Sequence, residues 1–94
     1  MNNEQSEKCE QIFNHYGREK QLIQLQEELA ELQSAVAREL AGKENNMDEE
    51  MADVLIMLEQ FKNPSVETFI NDKLNRQISR IFAESYQVEK RRIK

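Results

Sequence analysis

The chain has 94 residues, 18 of them acidic and 13 basic, with a net charge of −5 and an isoelectric point near 4.9. Its length predicts a single domain, residues 1–94, that buries only about 60–65 % of its unfolded surface, so we expect it to be completed by homo-oligomerisation. The acidic balance argues against nucleic acid as a partner and favours the binding of cations. Cys9 is the only cysteine, and no apolar run approaches the roughly 18–20 residues needed to cross a bilayer. These features predict a cytoplasmic protein with no membrane partner.

Apolar residues recur at spacings of three and four along most of the chain, which predicts an all-α fold. A first helix over residues 4–15 ends at Gly17, where the chain breaks or bends. A second helix covers residues 18–41, with Gly42 where a C-terminal cap belongs. The apolar stripe of the second helix, which we expect to form the core, consists of Leu22, Leu25, Leu29, Leu32, Val36 and Leu40.

A strip of acids and amides flanks this leucine stripe. Relative to Leu29, helix geometry places Glu28 about 100° and Glu31 about 160° to one side. Three further residues continue the strip, namely Gln21, Gln24 and Ala35.

The third helix is expected to begin near Asn46, with Asn46 and Glu49 forming a capping box. Relative to Val54, Glu50 lies about 40° away, inside the apolar sector, and Asp53 lies about 100° away at its edge. Glu49 lies about 140° away and is expected to face solvent. An acid on a buried face costs several kcal/mol unless it is paired or bound to a metal, so Glu50 calls for a partner.

The fourth helix is predicted over residues 65–84, with Pro64 at its entry and Ser65 as its cap. Residues 85–94 form a basic tail that we expect to be solvated and frayed. The predicted buried side of the fourth helix consists of Val66, Phe69, Ile70, Leu74, Ile78, Ile81 and Phe82.

The chain has two pairs of acids spaced three residues apart, Glu28 with Glu31 and Glu50 with Asp53. The members of each pair are therefore neighbours on their helix. The short GKENN connection favours an antiparallel hairpin of the second and third helices, in which the four carboxylates converge. Like charges repel there, and a divalent cation between them reverses the sign of that interaction. Ligands that offer only oxygen favour Mg²⁺, with Mn²⁺ as the alternative. A carboxylate cage without a nucleophile indicates phosphate-ester or phosphoanhydride chemistry.

The acid pairs and the glutamines also have explanations that involve no metal or substrate. About three E-x-x-E pairs are expected by chance in such a chain, so Glu28 with Glu31, taken alone, is also consistent with a solvated helix face. Gln21 and Gln24 are either amides that contact a nucleobase edge or ordinary surface glutamines. The alternative from another class is a non-enzymatic acidic helical protein whose leucine stripe binds a partner.

The two acidic stretches resemble a known family. EELAELQSAV followed by DEEMADVLIML resembles the MazG-like all-α nucleoside triphosphate pyrophosphohydrolases, which carry E-x-x-E on one helix, E-x-x-D on the next and N-x-K-x-x-R on the following one. The resemblance spans about residues 18–82 in the family's order. The matching residues are Glu28, Glu31, Glu50, Asp53, Asn71, Lys73 and Arg76.

The resemblance implies a four-helix core completed as a homodimer or as a dimer of dimers. It implies Mg²⁺-dependent cleavage of a (d)NTP to the monophosphate and pyrophosphate, with the four acids as catalytic metal ligands. Lys73 and Arg76 would contact the phosphates, with Asn71 nearby, and Lys73 would take part in catalysis. A family member that binds nucleotides without cleaving them is a further alternative.

The chain departs from some relatives just before Glu50, where they carry a lysine or arginine and this chain has Asn45, Asn46 and Met47. A missing phosphate contact would then come from elsewhere, and the candidates are Arg18, Lys20 and Lys43.

Two more acids, Glu27 and Glu49, match acids found beside the ligands in the family. One of them would orient or deprotonate the attacking water, although their outward positions on the helices argue against this role.

Overall fold

The structure, a computed structural model, describes the backbone of residues 1–93 and the side chains of residues 1–87. Within this part the chain forms only helices, which confirms the all-α prediction, and none of them has both the length and the apolar character of a bilayer-spanning segment. The chain divides into two compact units, Met1–Phe61 and Lys62–Lys94. The helices are α1 (Asn3–Tyr16), α2 (Arg18–Leu40), α3 (Met47–Gln60) and α4 (Pro64–Ile93).

The first helix is closed at both ends by its own sequence. The side chain of Asn2 accepts a hydrogen bond from the backbone N–H of Gln5 at 2.8 Å, and the side chain of Gln5 accepts one from the backbone N–H of Asn2 at 3.0 Å. Gly17 alone separates α1 from α2, as predicted, with φ of 88°, a conformation that glycine adopts without strain.

Contacts with the end of α3 attach α1 to the rest of the first unit. The Ser6 hydroxyl donates to Glu59 at 2.9 Å, and the rings of Phe13 and Phe61 meet edge to face at 5.6 Å. The Arg18 guanidinium lies 5.5 Å from the centre of the Phe61 ring. Cys9 is buried beneath these contacts, and burial raises the pKa of its thiol, with the charge of Glu59 adding to the effect.

The turn from α2 to α3 is a Schellman motif, which confirms the capping role predicted for Gly42. The backbone N–H of Gly42 donates to the backbone carbonyl of Glu39 at 3.1 Å, and the backbone N–H of Lys43 donates to the backbone carbonyl of Arg38 at 3.0 Å. Gly42 has φ of 69°, the left-handed conformation that this motif requires.

The start of α3 differs from the predicted capping box. Asn46 is the cap residue, but its side chain makes no capping hydrogen bond and instead donates to the Glu50 carboxylate at 2.7 Å. The Asn45 side chain accepts from the Met47 N–H at 2.9 Å and takes over the capping. The prediction was wrong because the bond from its amide nitrogen to the Glu50 carboxylate orients the Asn46 side chain, and the Asn45 oxygen supplies the acceptor for the helix start instead.

The packing between α2 and α3 uses a different side of α2 from the one predicted. The strip that carries the acids and amides faces α3, so that Gln21 and Ala35 are 5 % and 2 % exposed. Most of the leucine stripe is open, with Leu22 41 % and Leu29 46 % exposed. The expected leucine core is therefore wrong for the single chain. Among residues 1–87, the buried apolar residues are Cys9, Ala35, Val54 and Met57.

The same displacement occurs on α3. Its packed side is centred between Val54 and the acids, which leaves Met51 and Leu58 43 % and 47 % exposed on the opposite flank. In an antiparallel pair, the open flanks of α2 and α3 lie on the same side of the hairpin. We call the residues of this side, Leu22, Leu29, Val36, Met51 and Leu58, the open apolar face.

The second unit contains α4. Asn63, rather than the predicted Ser65, caps it by accepting the Val66 N–H at 3.1 Å, so that Pro64 takes the first helical position. The helix runs to Ile93, past its predicted end at residue 84. Side chains 88–94 of the predicted basic tail lie outside the described part.

The predicted buried side of α4 is exposed, by 41 % at Val66 and 73 % at Phe82. A single helix has no second element within its unit to cover an apolar stripe, which is why this prediction was wrong for the isolated unit.

Candidate functional site

The candidate site lies between α2 and α3, which pack as an antiparallel hairpin. Gln21, near the start of α2, donates to Gln60, at the end of α3, at 2.8 Å. Further along the same seam the two acid pairs meet. One carboxylate oxygen from each acid can be chosen so that all four oxygens lie within 4.8 Å of one another, and the contributing residues are Glu28, Glu31, Glu50 and Asp53. The predicted convergence of these acids is confirmed.

The four carboxylates differ in their exposure to solvent. Glu50 is 9 % exposed, as its position in the apolar sector of α3 predicts, and Glu28 and Asp53 are half-buried. Glu31 is exposed and forms the solvent side of the cluster. Glu27 and Glu49 are exposed, in agreement with their predicted directions. The cluster is therefore a cup, closed by the hairpin on one side and open at Glu31.

Two amides hold the deeper carboxylates. Gln24 donates to Oε1 of Glu28 at 2.9 Å, and Asn46 donates to Oε1 of Glu50 at 2.7 Å. The other oxygens, Oε2 of Glu28 and Oε2 of Glu50, are buried without a hydrogen-bond donor while Glu31 is ionised. A buried carboxylate oxygen without a donor is costly, so each of these oxygens is suited to a cation or a proton.

The electrostatics of the cup act on its most accessible member. The pKa of Glu31 is raised from its ordinary value of 4.5, first by the hydrogen bond that its protonated form makes with Glu50 and then by the negative charge of Glu28 and Glu50. In the absence of a cation, a proton on Glu31 therefore relieves part of the repulsion.

A cleft of about 530 Å³ opens beside the carboxylates, between α1, α2 and α3. Gln24 joins the two regions, because it lines the cleft and also donates to Glu28. Gln21, Gln60 and Lys20 contribute the other polar groups of the cleft. Its apolar walls are formed by Ile12, Tyr16, Ile23, Ile56 and Met57.

The residues matched from the downstream motif lie in the second unit. Asn71, Lys73 and Arg76 are exposed on α4. Helix geometry places Lys73 and Arg76 about 60° apart on one side, together with Arg80, whereas Asn71 lies about 140–160° from both. The structure thus groups the two cations on one face of α4 and separates Asn71 from them.

Sequence reasoning missed two amides that support the site. Asn46 precedes Glu50 by one helical turn, and that spacing could have identified it as the partner of a buried acid. Gln60 gave no such signal, since its partner Gln21 is 39 positions away in the chain. The sequence suggests Lys20 only as a substitute phosphate contact, and the structure places it at the cleft.

Comparisons with protein-family models, with curated proteins and with solved structures gave no match to this chain.

Proposed function

We propose that this protein is a Mg²⁺-dependent nucleoside triphosphate pyrophosphohydrolase of the MazG-like type, which cleaves a (d)NTP to the monophosphate and pyrophosphate. The observation that carries the proposal is the meeting of four carboxylates within 4.8 Å between two helices, two of them with a buried oxygen that lacks a donor. The order of the motifs E-x-x-E, E-x-x-D and N-x-K-x-x-R along the chain supports the same assignment.

The donor set fits a hard divalent cation. All four groups are carboxylates on rigid helices, which suits Mg²⁺ and also Mn²⁺. The residues that would hold the ions are Glu28, Glu31, Glu50 and Asp53. Bound Mg²⁺ would neutralise the charge of the triphosphate and lower the pKa of a coordinated water.

The protein's own residues prepare the cup for this role. Gln24 and Asn46 fix Glu28 and Glu50 through one oxygen each, which leaves the second oxygen of each acid free for a ligand. Outer partners of this kind orient metal ligands and are typically worth about 10–100-fold in affinity or activity. Glu31 is exposed at the open side, where its carboxylate is accessible to an ion that enters from solvent.

The cleft beside the cup is the proposed position of the nucleoside. Its apolar walls suit a planar base, and the amides of Gln21 and Gln24 offer hydrogen bonds to the base edge. Lys20 supplies a cation at the same cleft. Lys73 and Arg76 of α4 are proposed to contact the phosphates, with Lys73 catalytic and Asn71 a weaker candidate because of its position on the helix.

We also propose that the protein acts in the cytoplasm as a homodimer or homotetramer. The open apolar face and the apolar stripe of α4 are exposed in the single chain, and exposed stripes of this extent usually mark an interface. The buried, unpaired Cys9 suits a reducing compartment.

The test is the release of pyrophosphate from a panel of NTPs and dNTPs, with and without Mg²⁺. We expect turnover that depends on Mg²⁺ and falls at least about 100-fold in Glu50→Gln, because even outer partners of metal ligands reach that range. The matched control is Glu49→Gln, which removes the same charge from the adjacent exposed position and should retain activity. The absence of turnover with every nucleotide would contradict the proposal.

The open apolar face keeps a second function in view, that of a non-enzymatic helical protein which binds a partner through this surface. The same experiment separates the two, because an interaction protein would show no turnover and no change of melting temperature on addition of Mg²⁺. Stabilisation by nucleotides without product would instead identify a family member that only binds them.

A further inference from the structure

The cleft beside the carboxylates contains a chain of amides whose direction is fixed by the backbone. Gln60 donates through Nε2 to the backbone carbonyl of Ile56 at 3.3 Å. A backbone carbonyl can only accept, so this contact determines which end of the Gln60 amide carries the nitrogen. The oxygen Oε1 of Gln60 then accepts from Nε2 of Gln21 at 2.8 Å. The backbone carbonyl of Ile56 therefore fixes the direction of the Gln60 amide, and the Gln60 amide in turn fixes the direction of the Gln21 amide.

Gln21 is the member of this chain that can read a ligand. It is 95 % buried, since only 5 % of its surface is exposed, and it lines the cleft. One of its N–H groups is used on Gln60, and its oxygen Oε1 accepts no hydrogen bond from the part of the chain that the structure describes. An acceptor that no protein group fills, on a residue that lines a cleft, is open to a hydrogen bond from a ligand in that cleft.

A primary amide that is free to rotate by 180° offers its donor and acceptor in either order. It therefore pairs equally well with base edges of opposite hydrogen-bonding pattern. An amide held in one direction accepts only one order. Uracil and cytosine present opposite patterns at neighbouring positions, a donor ring N–H beside a carbonyl in uracil and an acceptor ring nitrogen beside an amino group in cytosine. For a base that the cleft holds in one pose, a locked Gln21 distinguishes the two, and an unlocked one does not.

We propose that Gln60 is a positioning residue that sets base selectivity by locking the Gln21 amide in one direction. The proposal rests on the proposed function, in which the cleft holds the nucleoside of the substrate. Gln60 itself need not touch the base, because its effect passes through the hydrogen bond to Gln21.

The experiment compares three proteins, the wild type, Gln60→Met and Gln60→Glu, by the ratio of kcat/KM for dUTP and dCTP with Mg²⁺. Methionine keeps the length of the side chain but removes the acceptor, whereas glutamate keeps an acceptor for Gln21. We expect a wild-type ratio that departs from one by at least about tenfold, which lies within the discrimination that a bidentate amide contact with a base edge supplies. It should fall towards one in Gln60→Met and be retained in Gln60→Glu. The loss should arise in KM, and the hydrolysis of inorganic triphosphate, which has no base, should not change.

A second measurement keeps this inference separate from the proposed function. The affinities of the three proteins for dUMP and dCMP are compared by calorimetry without relying on turnover. If the wild type cleaves no nucleotide but binds the two monophosphates with unequal affinity that Gln60→Met abolishes, the proposed reaction fails and the role of Gln60 stands. A wild-type ratio near one in both assays, an unchanged ratio in Gln60→Met, or an equal loss in Gln60→Glu would overturn the role of Gln60. Thermal melting of each variant confirms that the fold is intact.

Discussion

Two strips run side by side along α2, and the fold treats them in opposite ways. The strip of amides and acids packs against α3, where Gln21 is 5 % exposed, whereas the neighbouring leucine stripe remains open, with Leu29 46 % exposed. Burial of apolar surface is the main favourable term in folding, and burial of carboxylates opposes it. A single chain that buries the less favourable strip gains little stability from that choice. This difference is the basis for proposing that the polar strip serves a ligand and that the apolar strip serves a partner.

The largest expected effect concerns the open apolar face. Replacement of Leu22 and Leu29 together by glutamate should dissociate the proposed homo-oligomer, with affinity weakened at least about 100-fold, because charges would have to be buried in an apolar interface. Sedimentation velocity measures the outcome. The matched control is Ala30→Glu with Ala37→Glu. It places the same charges at the same spacing, about 80–100° around the helix from Leu22 and Leu29. An oligomer unaffected by the leucine replacements, or a wild-type protein that is monomeric at every concentration, would show that the leucine stripe does not bind a partner copy.

The next effect concerns the buried strip. Glu50→Leu should stabilise the metal-free protein by about 1–3 kcal/mol, because it removes a buried acid whose Oε2 has no donor, and should abolish stabilisation by Mg²⁺. Urea unfolding with and without Mg²⁺ measures both effects. Glu49→Leu changes an exposed position and should stay within about 0.5 kcal/mol of the wild type. Destabilisation by Glu50→Leu in the absence of metal would mean that the acid serves the fold and not a ligand.

A smaller effect is expected at the turn that aligns the two strips. Gly42→Ala should destabilise the protein by about 1 kcal/mol, since φ of 69° disfavours a Cβ while the space around it is open. Gly42→Asn should cost less, because asparagine tolerates this conformation. Thermal unfolding distinguishes the two variants. If alanine costs no more than asparagine, the Schellman turn does not restrain the hairpin.

The smallest effect is a dependence on pH at the exposed edge of the cup. The pKa of Glu31 is raised in the folded protein, so the folded protein binds a proton at Glu31 more tightly than the unfolded chain does. The resulting stability is complete below the ordinary pKa of 4.5 and is lost as the pH rises through the higher folded value. Mg²⁺ bound at the proposed site would compete with this proton, so its stabilising effect should grow across the same window.

Melting curves recorded across this window, with and without Mg²⁺, measure the pH dependence. Glu31→Gln, which imitates the protonated side chain, should remove it in the metal-free protein. A shift caused by Mg²⁺ that is the same at every pH would show that the ion does not bind at Glu31.

The sequence by itself determined the local features of this protein. Helical periodicity located the helices, Gly17 and Gly42 marked the turns, and the spacing of three residues brought each acid pair together on its helix. The burial of Glu50 also followed from its angle on α3. These features depend on residues within about one helical turn of each other, where backbone geometry leaves few alternatives.

Only the tertiary structure decided which strip of α2 faces α3 and which amides support the acids. Both strips are compatible with a helix, and the choice between them depends on the fit of side chains that are distant in the chain. The contact of Gln21 with Gln60 is of this kind, since a hydrogen bond across 39 positions leaves no periodic trace in the sequence. The exposure of the apolar stripe of α4 likewise follows from what each unit contains, which hydrophobic periodicity does not encode.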